Sequence, residues 1–508
     1  MNTLTEADIE QLQKSNRSIE LIQRQYEFII RGTEIEREIE AATLGNGIQK
    51  LSLEEEKTAL DLFYRALESR NWMKFVPASG AASRMFAPFF AYQKAKSTSG
   101  FSLEAYLNAE EGRVLNKALT QLKKLPFYTS AYAKIIQDSS VSIATEADFF
   151  DAFIELVIKE SGLDYPKRPK ALIPFFVDEQ GVEWTAFEAQ LIEAVELGDQ
   201  YKALPIHLTI DKENRAAFEA AEAAFRSKRT QDLNKKFKIE YSYQHRLTDT
   251  PYLDSQNNWI RDHEGKIAFR KGGHGALLEN LNRLDADCIW IKNIDNILLS
   301  EENAEGERWM RILGGQLILI QNQLFQYLKN LESLKSEADF EEIIEFIQNH
   351  FDPNYELKNS GKMPHQILFD YLYRPLRICG MIPMEGAKGG GPFWKKDARG
   401  KSLQIIEGVE LNSDKESHQI ALDQSTHFNP VMMVCGITNH RGDKFSLYDF
   451  RDDKRFMVSE KTEGSATIKI LEWPGLWNGG MAAWNTLFIE IPSETFHPVK
   501  TIVDLIRD

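Results

Sequence analysis

The sequence has few cysteines and no long apolar run. Only three cysteines, Cys288, Cys379 and Cys435, occur among 508 residues, too few and too scattered for a disulfide framework or a paired-cysteine metal site. The N-terminus is acidic and lacks the apolar core of a secretory signal. No run approaches the roughly 18 apolar residues that cross a bilayer. These absences predict a cytoplasmic protein in a reducing compartment, with no membrane partner.

Positive charge is also in short supply. The chain has 61 Lys and Arg against 76 Asp and Glu, a formal net charge of -15 at pH 7. Such a chain repels polyphosphate backbones, so we expect no nucleic-acid partner. Any site for an anion must therefore be local.

Several common catalytic motifs are missing. The sequence contains no GxxxxGK[ST] phosphate loop, no GxSxG nucleophile elbow and no HExxH zinc motif. The nearest approach to a dinucleotide GxGxxG motif is GHGALL at 273–278, which lacks the third glycine. These gaps disfavour P-loop, dinucleotide-binding, hydrolase and zinc-enzyme functions.

The order of apolar patterns divides the chain into three parts. Residues 1–70 have apolar residues at helical spacing and predict a helical lead-in. Residues 71–400 alternate strand and helix patterns, with a strand-free helical insertion at about 103–159, and residues 401–508 are richer in strands and turns. This alternation predicts an α/β fold with a mostly parallel or mixed central sheet and helices on both faces. In such folds ligands bind at the carboxyl ends of strands.

The segment KFVPASGAASRMF at 74–86 combines a predicted strand, a loop of small residues and a predicted helix start. Free backbone N–H groups in such a loop form a phosphate site, and Arg84 could add bidentate contacts to phosphate oxygens. The alternative is a tight turn that packs strand against helix beside an exposed arginine. The residues alone leave both interpretations open.

Five segments, in the same order, resemble nucleotide-sugar pyrophosphorylases and the related uridylyltransferases. They are PASGAASRM at 77–85, RPKALIPF at 168–175, FRKGGHGALLENL at 269–281, CIWIKNIDNIL at 288–298 and WNTLFIEI at 484–491. Within the first, Ser79 and Ala82 stand where that family has glycine. The chain is also similar to the uncharacterised bacterial family called domain of unknown function 4301. The resemblance implies a glycosyltransferase-A-like nucleotide-binding fold.

The resemblance also implies roles for particular residues. Arg84 and Lys170 are the expected catalytic residues, Asp295 is the expected Mg²⁺ ligand, and Asn485 is its expected partner, with Asn478 as the fallback. The expected nucleotide-binding residues are Ala78, Ser79, Gly80, Ala82, Ser83, Gly272, Gly273, His274 and Gly275. Each has a plainer alternative: a solvated lysine, a glycine-rich turn with an exposed histidine, or a turn shaped by Asn and Asp.

A second glycine-rich loop, EGAKGGGPFW at 385–394, is a candidate for closing over a sugar phosphate. We expect substrate contacts from Lys388, Gly389 and Gly390, stacking of Trp394 on a sugar face, and hydroxyl binding by Glu407. A simple hinge and a water-facing strand glutamate are the alternatives.

The implied function is nucleotidyl transfer from a nucleoside triphosphate, expected to be UTP, to a sugar 1-phosphate, with Mg²⁺ as cofactor and pyrophosphate as product. A nucleotide-sugar-dependent glycosyltransferase is the first alternative. A non-catalytic nucleotide-sugar-binding protein is the second, because Ser79 and Ala82 replace loop glycines. The sequence leaves the sugar and the oligomeric state open.

Overall fold

The structure is a computed structural model that describes residues 4–33, 38–138, 142–198, 202–228, 238–331, 338–357, 361–384, 390–397, 400–412, 414–463 and 466–507. Its helices are α1 (Glu6–Lys14), α2 (Ile19–Arg31), α3 (Leu53–Ser69), α4 (Ala87–Lys96), α5 (Leu103–Asn108), α6 (Arg113–Thr120), α7 (Tyr128–Gln137), α8 (Glu146–Ile158), α9 (Ala186–Leu197), α10 (Arg215–Lys228), α11 (Leu278–Asn282), α12 (Ala304–Leu331), α13 (Ala338–His350), α14 (Pro364–Leu372) and α15 (Glu416–Gln424).

Its strands are β1 (Ile39–Ala41), β2 (Thr43–Leu44), β3 (Gly47–Gln49), β4 (Trp72–Pro77), β5 (Pro174–Val177), β6 (Glu183–Thr185), β7 (Ile206–Thr209), β8 (Ile239–Ser242), β9 (Thr250–Asp254), β10 (Phe269–Arg270), β11 (Cys288–Lys292), β12 (Leu376–Pro383), β13 (Gly390–Asp397), β14 (Gly400–Glu407), β15 (His427–Phe428), β16 (Met432–Gly436), β17 (Met457–Glu463), β18 (Ala466–Glu472) and β19 (Asn485–Glu490).

The chain forms two compact units, each assembled from separate segments. The first unit comprises Met1–Phe75, Ser242–Ile291 and Arg308–Ser493, and the second comprises Val76–Tyr241, Lys292–Glu307 and Glu494–Asp508.

The first unit contains a sheet whose strands lie in the order β2-β3-β19-β12-β16-β11-β4. The pairs β2–β3, β3–β19, β19–β12 and β11–β4 are parallel, and β12 pairs antiparallel with β16. Residues along β12 and β19 are buried almost without alternation, as expected for strands covered on both faces. The predicted α/β fold with a mostly parallel central sheet is confirmed.

Smaller sheets complete the first unit. The strands β10-β9-β18-β17 form a four-stranded sheet, and the hairpin β13–β14 pairs with β1. The predicted lead-in is helical in α1, α2 and α3, but the short strands β1, β2 and β3 lie between α2 and α3. Gly45 and Gly47 adopt positive φ there, so they turn the chain where a helical pattern would run on.

The second unit surrounds α9 with short strands and helices. Helices α5 to α8 cover the segment predicted to be a helical insertion, and its described residues contain no strand. Strands β5 and β6 form an antiparallel hairpin, and β7 lies beside β8. Thr185 and Glu188 form a capping box that starts α9 directly after β6.

Two further findings concern the described part of the chain. None of its helices is both long enough and apolar enough to cross a bilayer. Cys288, Cys379 and Cys435 are all buried free thiols.

Candidate active site

The small-residue loop after β4 leaves several backbone amides open. Ala78 N–H donates to the Thr209 carbonyl at 2.9 Å, and Ala82 N–H donates to the Arg168 carbonyl at 3.3 Å. Both alanines are buried and their amides hold the loop in place; their part in nucleotide binding stays a prediction.

The loop N–H groups that donate to no acceptor in the described part of the chain are those of Ser79, Gly80, Ala81, Ser83 and Arg84. A Cβ on Gly80 would meet no atom within 4 Å, so this stretch is open to a ligand. Helix α4 begins at Ala87, and Arg84 therefore lies in the turn before the helix.

Lys170 and Asp295 are brought into contact in the second unit. Lys170 N–H donates to the Gly80 carbonyl at 2.9 Å, which places the lysine beside the open loop. Its Nζ donates to Asp295 Oδ2 at 2.6 Å and also to the Val499 carbonyl. The side chains of Lys170 and Asp295 are only 14% and 11% exposed. Two residues predicted from segments 125 positions apart thus form one ion pair.

A second lysine, Lys500, was missed by sequence reasoning. Its Nζ lies 3.0 Å from Asp295 Oδ2, the same oxygen that Lys170 contacts, and its side chain is 58% exposed. The segment around it is tied to the site by backbone bonds, because Val499 N–H donates to the Asp295 carbonyl and Ile502 N–H donates to the Met85 carbonyl. No glycine or acidic cluster marks this segment in the sequence.

Charge coupling shifts the pKa values of the two buried partners. Burial raises the pKa of Asp295, but the charges of Lys500 and Lys170 outweigh burial and hold the pKa below its ordinary value. Burial lowers the pKa of Lys170, and Asp295 offsets only part of that effect. The two ammonium groups share the Asp295 carboxylate, and the Asp504 carboxylate also acts on Lys170.

The Asp295 carboxylate is an oxygen ligand of the kind that Mg²⁺ binds. The described residues contain no group of three or more His, Cys, Asp or Glu side chains suited to hold a metal. Mg²⁺ is commonly held by one or two carboxylates together with substrate phosphates and water, so one carboxylate suffices when a triphosphate supplies the rest. Asn485, the expected partner, lies buried in β19 of the first unit, where its Nδ2 donates to the Leu372 carbonyl at 3.2 Å.

His274 and Glu407 meet in the first unit. The His274 ring stacks on Trp477 with centroids 4.3 Å apart. Its Nδ1 accepts from Leu476 N–H at 3.2 Å, so the proton is on Nε2, which lies 3.5 Å from Glu407 Oε1. Burial raises the pKa of Glu407, but the contacts with His274 and Asn478 and the charge of Arg455 outweigh burial and lower the pKa.

The glycines around His274 are explained by packing. A Cβ on Gly272 would lie 2.5 Å from Trp473, one on Gly273 would lie 2.5 Å from Glu472, and one on Gly275 would lie 2.2 Å from the Pro474 carbonyl oxygen. Packing therefore accounts for these three glycines, and their contacts with a base stay a prediction.

Three predicted substrate residues, Gly390, Trp394 and Glu407, lie in the hairpin β13–β14, and two lie outside the described residues. Gly390 pairs with Glu407 at the open end of the hairpin, and Lys388 and Gly389 are the undescribed ones. Trp394 is only 2% exposed, and its stacking on a sugar face stays a prediction. It pairs across the hairpin with Leu403, and its Nε1 donates to Asn46 Oδ1 at 3.1 Å.

Asn478, the fallback metal ligand, is also buried. It lies in the first unit, with its Nδ2 3.5 Å from Glu410 Oε2. Its side chain therefore contributes to the interior of that unit.

The chain belongs to the family described as Domain of unknown function (DUF4301), whose profile matches residues 5–508. The family predicted from the sequence is thereby confirmed. No curated protein matches the chain.

Solved structures of nucleotide-sugar enzymes are similar to the whole chain at low identity. A uridine diphosphate N-acetylglucosamine pyrophosphorylase from Trypanosoma brucei, in complex with an inhibitor, is 11% identical with a TM-score of 0.46, over 96% of this chain and 74% of that chain. A UDP-glucose pyrophosphorylase mutant from Leishmania major, in complex with UDP-glucose, is 10% identical with a TM-score of 0.45, over 99% and 79%. A UDP-glucose phosphorylase from Trypanosoma brucei is 12% identical with a TM-score of 0.46, over 98% and 77%.

Proposed function

We propose that this protein transfers a nucleotidyl group from a nucleoside triphosphate, with UTP as the expected donor, to a sugar 1-phosphate. The observation that carries the proposal is the arrangement of the second unit, where a loop with open amides lies beside Lys170, which shares the Asp295 carboxylate with Lys500. This arrangement combines neutral donors with two ammonium groups, and it suits a polyphosphate better than a singly charged ligand.

The loop and the lysines have different tasks in this proposal. The amides of Ser79, Gly80 and Ala81, together with the exposed Arg84, bind the β- and γ-phosphates. Lys170 and Lys500 contact the α-phosphate, exchanging the Asp295 carboxylate for phosphate oxygens. When Mg²⁺ is bound, Asp295 would hold it, and the ion would supply further charge neutralisation on the phosphates.

The reaction needs positioning and charge stabilisation rather than covalent work by the protein. An oxygen of the sugar phosphate forms a bond with the α-phosphorus, the bond from that phosphorus to the bridging oxygen breaks, and the bridging oxygen leaves with pyrophosphate. Negative charge spreads over the equatorial oxygens as the bonds exchange. Lys170 is held in a mostly buried position, where a fixed positive charge acts strongly on that developing charge.

For the first unit, base and sugar recognition by His274 and Glu407 stays a prediction. A neutral imidazole with its proton on Nε2 is a suitable donor to a hydroxyl or carbonyl oxygen. Glu407 is a matching acceptor for hydroxyl groups.

One observation favours a second candidate, a non-catalytic nucleotide-binding protein. The Ala82 N–H already donates to the Arg168 carbonyl. The loop therefore offers fewer N–H donors to a ligand than a glycine loop in which every amide is free. Such a protein would bind UTP or a UDP-sugar without turnover. The glycosyltransferase alternative would release the nucleoside diphosphate and no pyrophosphate.

Pyrophosphate release from UTP and a panel of sugar 1-phosphates tests the proposal. The wild type should release pyrophosphate with at least one sugar phosphate, and Lys170→Ala should reduce kcat by about 100- to 1000-fold with UTP affinity changed only a few-fold. Lys167→Ala is the matched control, because Lys167 is 67% exposed and its Nζ pairs with Glu160 at 3.1 Å in the same segment.

Two results would contradict the proposal. Turnover of Lys170→Ala within a few-fold of wild type would remove Lys170 from the mechanism. Tight binding of UTP by the wild type, without pyrophosphate release for any sugar phosphate, would leave the binding protein as the better description.

A further inference from the structure

Helix α9 carries polar side chains at buried positions, where apolar side chains are the rule. Every residue of this helix except Glu196 is buried. Gln190 and Glu193 nevertheless occur in its interior, and both are 0% exposed. Polar groups this deep are retained only where they satisfy other polar groups.

Gln190 satisfies the backbone immediately before Asp295. Its Nε2 donates to the carbonyl of Asn293 at 3.1 Å and to the carbonyl of Ile294 at 3.3 Å. Both acceptors lie in the turn that follows β11. The Gln190 side chain therefore holds two consecutive peptide units. The next residue in the chain is Asp295, whose carboxylate contacts both lysines.

Glu193, one helical turn further along α9, holds the same turn from its other end. It forms a buried ion pair with Lys292, the last residue of β11, and accepts from Asn303 Nδ2 at 2.8 Å. Residues three apart in a helix lie on one face, so Gln190 and Glu193 act on the turn from the same surface of α9. The turn is thereby fixed by side chains that do not reach the reacting groups.

We propose that Gln190 is a positioning residue for Asp295, and this inference rests on the proposed function. Without its amide, the two carbonyls must rotate toward other donors, because a buried acceptor without a partner costs about 1–3 kcal/mol. The peptide that carries Asp295 then rotates with them. The ion pair with Lys170 and the ligand position for Mg²⁺ both shift as a result.

Two variants and one control test this role. Gln190→Leu keeps the bulk and removes both hydrogen bonds. Gln190→Glu places a carboxylate against two carbonyl oxygens, and it can donate only when protonated. Glu188→Gln is the matched control, because Glu188 is buried on the same helix but caps it and pairs with Lys228 at 2.8 Å, away from the turn.

Catalytic and binding measurements give the first set of outcomes. In Gln190→Leu we expect kcat to fall about 10- to 100-fold, as for other partners that orient a ligand from outside the site. The UTP dissociation constant, measured by calorimetry, should rise about 10-fold with Mg²⁺ present and stay unchanged with a chelator. Gln190→Glu should regain part of its activity as the pH is lowered, because only the protonated carboxyl donates, whereas Gln190→Leu should not. Glu188→Gln should leave all these values at wild-type levels.

Hydrogen exchange gives an outcome that needs no catalysis. Amides of the peptide covering residues 292–298 should exchange at least 10-fold faster in Gln190→Leu than in wild type or Glu188→Gln. If wild type is inactive, the proposed function fails, and exchange in this peptide still decides whether Gln190 holds the turn. Unchanged exchange there would overturn the inference. So would a lower melting temperature with unchanged kcat and unchanged Mg²⁺-dependent UTP affinity, which would make Gln190 a purely structural residue.

Discussion

Replacing Lys292 with methionine should destabilise the second unit strongly. The side chains of Lys292 and Glu193 are 1% and 0% exposed and form an ion pair. Removing one partner of such a pair leaves a buried charge without compensation, which costs about 3–5 kcal/mol. Asn303 still donates to Glu193, so we expect the Lys292→Met variant to lie near the lower end, at about 3 kcal/mol.

A double-mutant cycle separates the charge from the packing. Replacing both partners by apolar residues, in Lys292→Met/Glu193→Leu, should bring stability back to within about 2 kcal/mol of wild type, because no unpaired charge then remains. The exposed pair of Lys159 with Glu155, at 2.8 Å with 53% and 51% of the side chains exposed, is the control. Lys159→Met should change stability by less than about 0.5 kcal/mol.

Equilibrium unfolding in urea, followed by circular dichroism and by a tryptophan probe, provides the assay. Coincident transitions of the two probes justify a single free energy of unfolding for each variant. Additive effects of the two single substitutions, or a loss below about 1 kcal/mol in Lys292→Met, would refute the argument that the buried charges depend on each other.

Two other outcomes are expected. Hydrogen bonds from Arg261 lower the pKa of Asp8 from 3.8 to about 2. Ionised Asp8 therefore stabilises the fold above pH 3.8 by about 1–2 kcal/mol, and this contribution is lost as the pH falls through about 2. Urea unfolding between pH 6 and pH 2 should show the loss of this contribution in wild type and not in Asp8→Asn. Trp394→Phe removes the hydrogen bond to Asn46 and should destabilise the first unit by about 1–2 kcal/mol while KM for the sugar phosphate stays unchanged; a large rise in that KM would instead support stacking on the sugar.

The strands near the candidate site were predictable because they are runs of apolar residues. The segments around Met73, Phe175 and Ile291 are too apolar to be exposed to solvent, and each is followed by small or polar residues. An apolar run followed by such residues predicts both a buried strand and the loop after it. The contact of Lys170 with Asp295 did not follow from strand order: Asp295 follows β11, but Lys170 precedes β5, which pairs antiparallel with β6 in a separate sheet.

Side-chain direction was harder to predict than position. Trp394 lies in a strand, and one step of strand register decides whether an aromatic ring faces a ligand or the core. The small residues around His274 suggested room for a base, and the structure places the segment beginning at Glu472, which is distant in sequence, against these glycines. A pattern of glycines indicates that another group lies close to the backbone, but it does not indicate whether that group is a ligand or another part of the protein.

Lys500 and Gln190 were beyond sequence reasoning for a different reason. Each acts through a contact across more than 100 residues of chain, to Asp295 in one case and to the Asn293 carbonyl in the other. A lysine between Val499 and Thr501, and a glutamine in an amphipathic-looking helix, are both ordinary surface residues by composition. Only the fold brings Lys500 and Gln190 into contact with the segment that carries Asp295.

Lys170 and Lys500 share one oxygen of Asp295, and this contact affects which anions can bind at the site. An arriving anion must compete with a carboxylate that is already neutralised, so a ligand bearing a single phosphate gains little by displacing it. A chain of several phosphates engages the open amides at the same time and overcomes that competition. Under the proposed function, Asp295 thus makes the site favour a polyphosphate over a single phosphate.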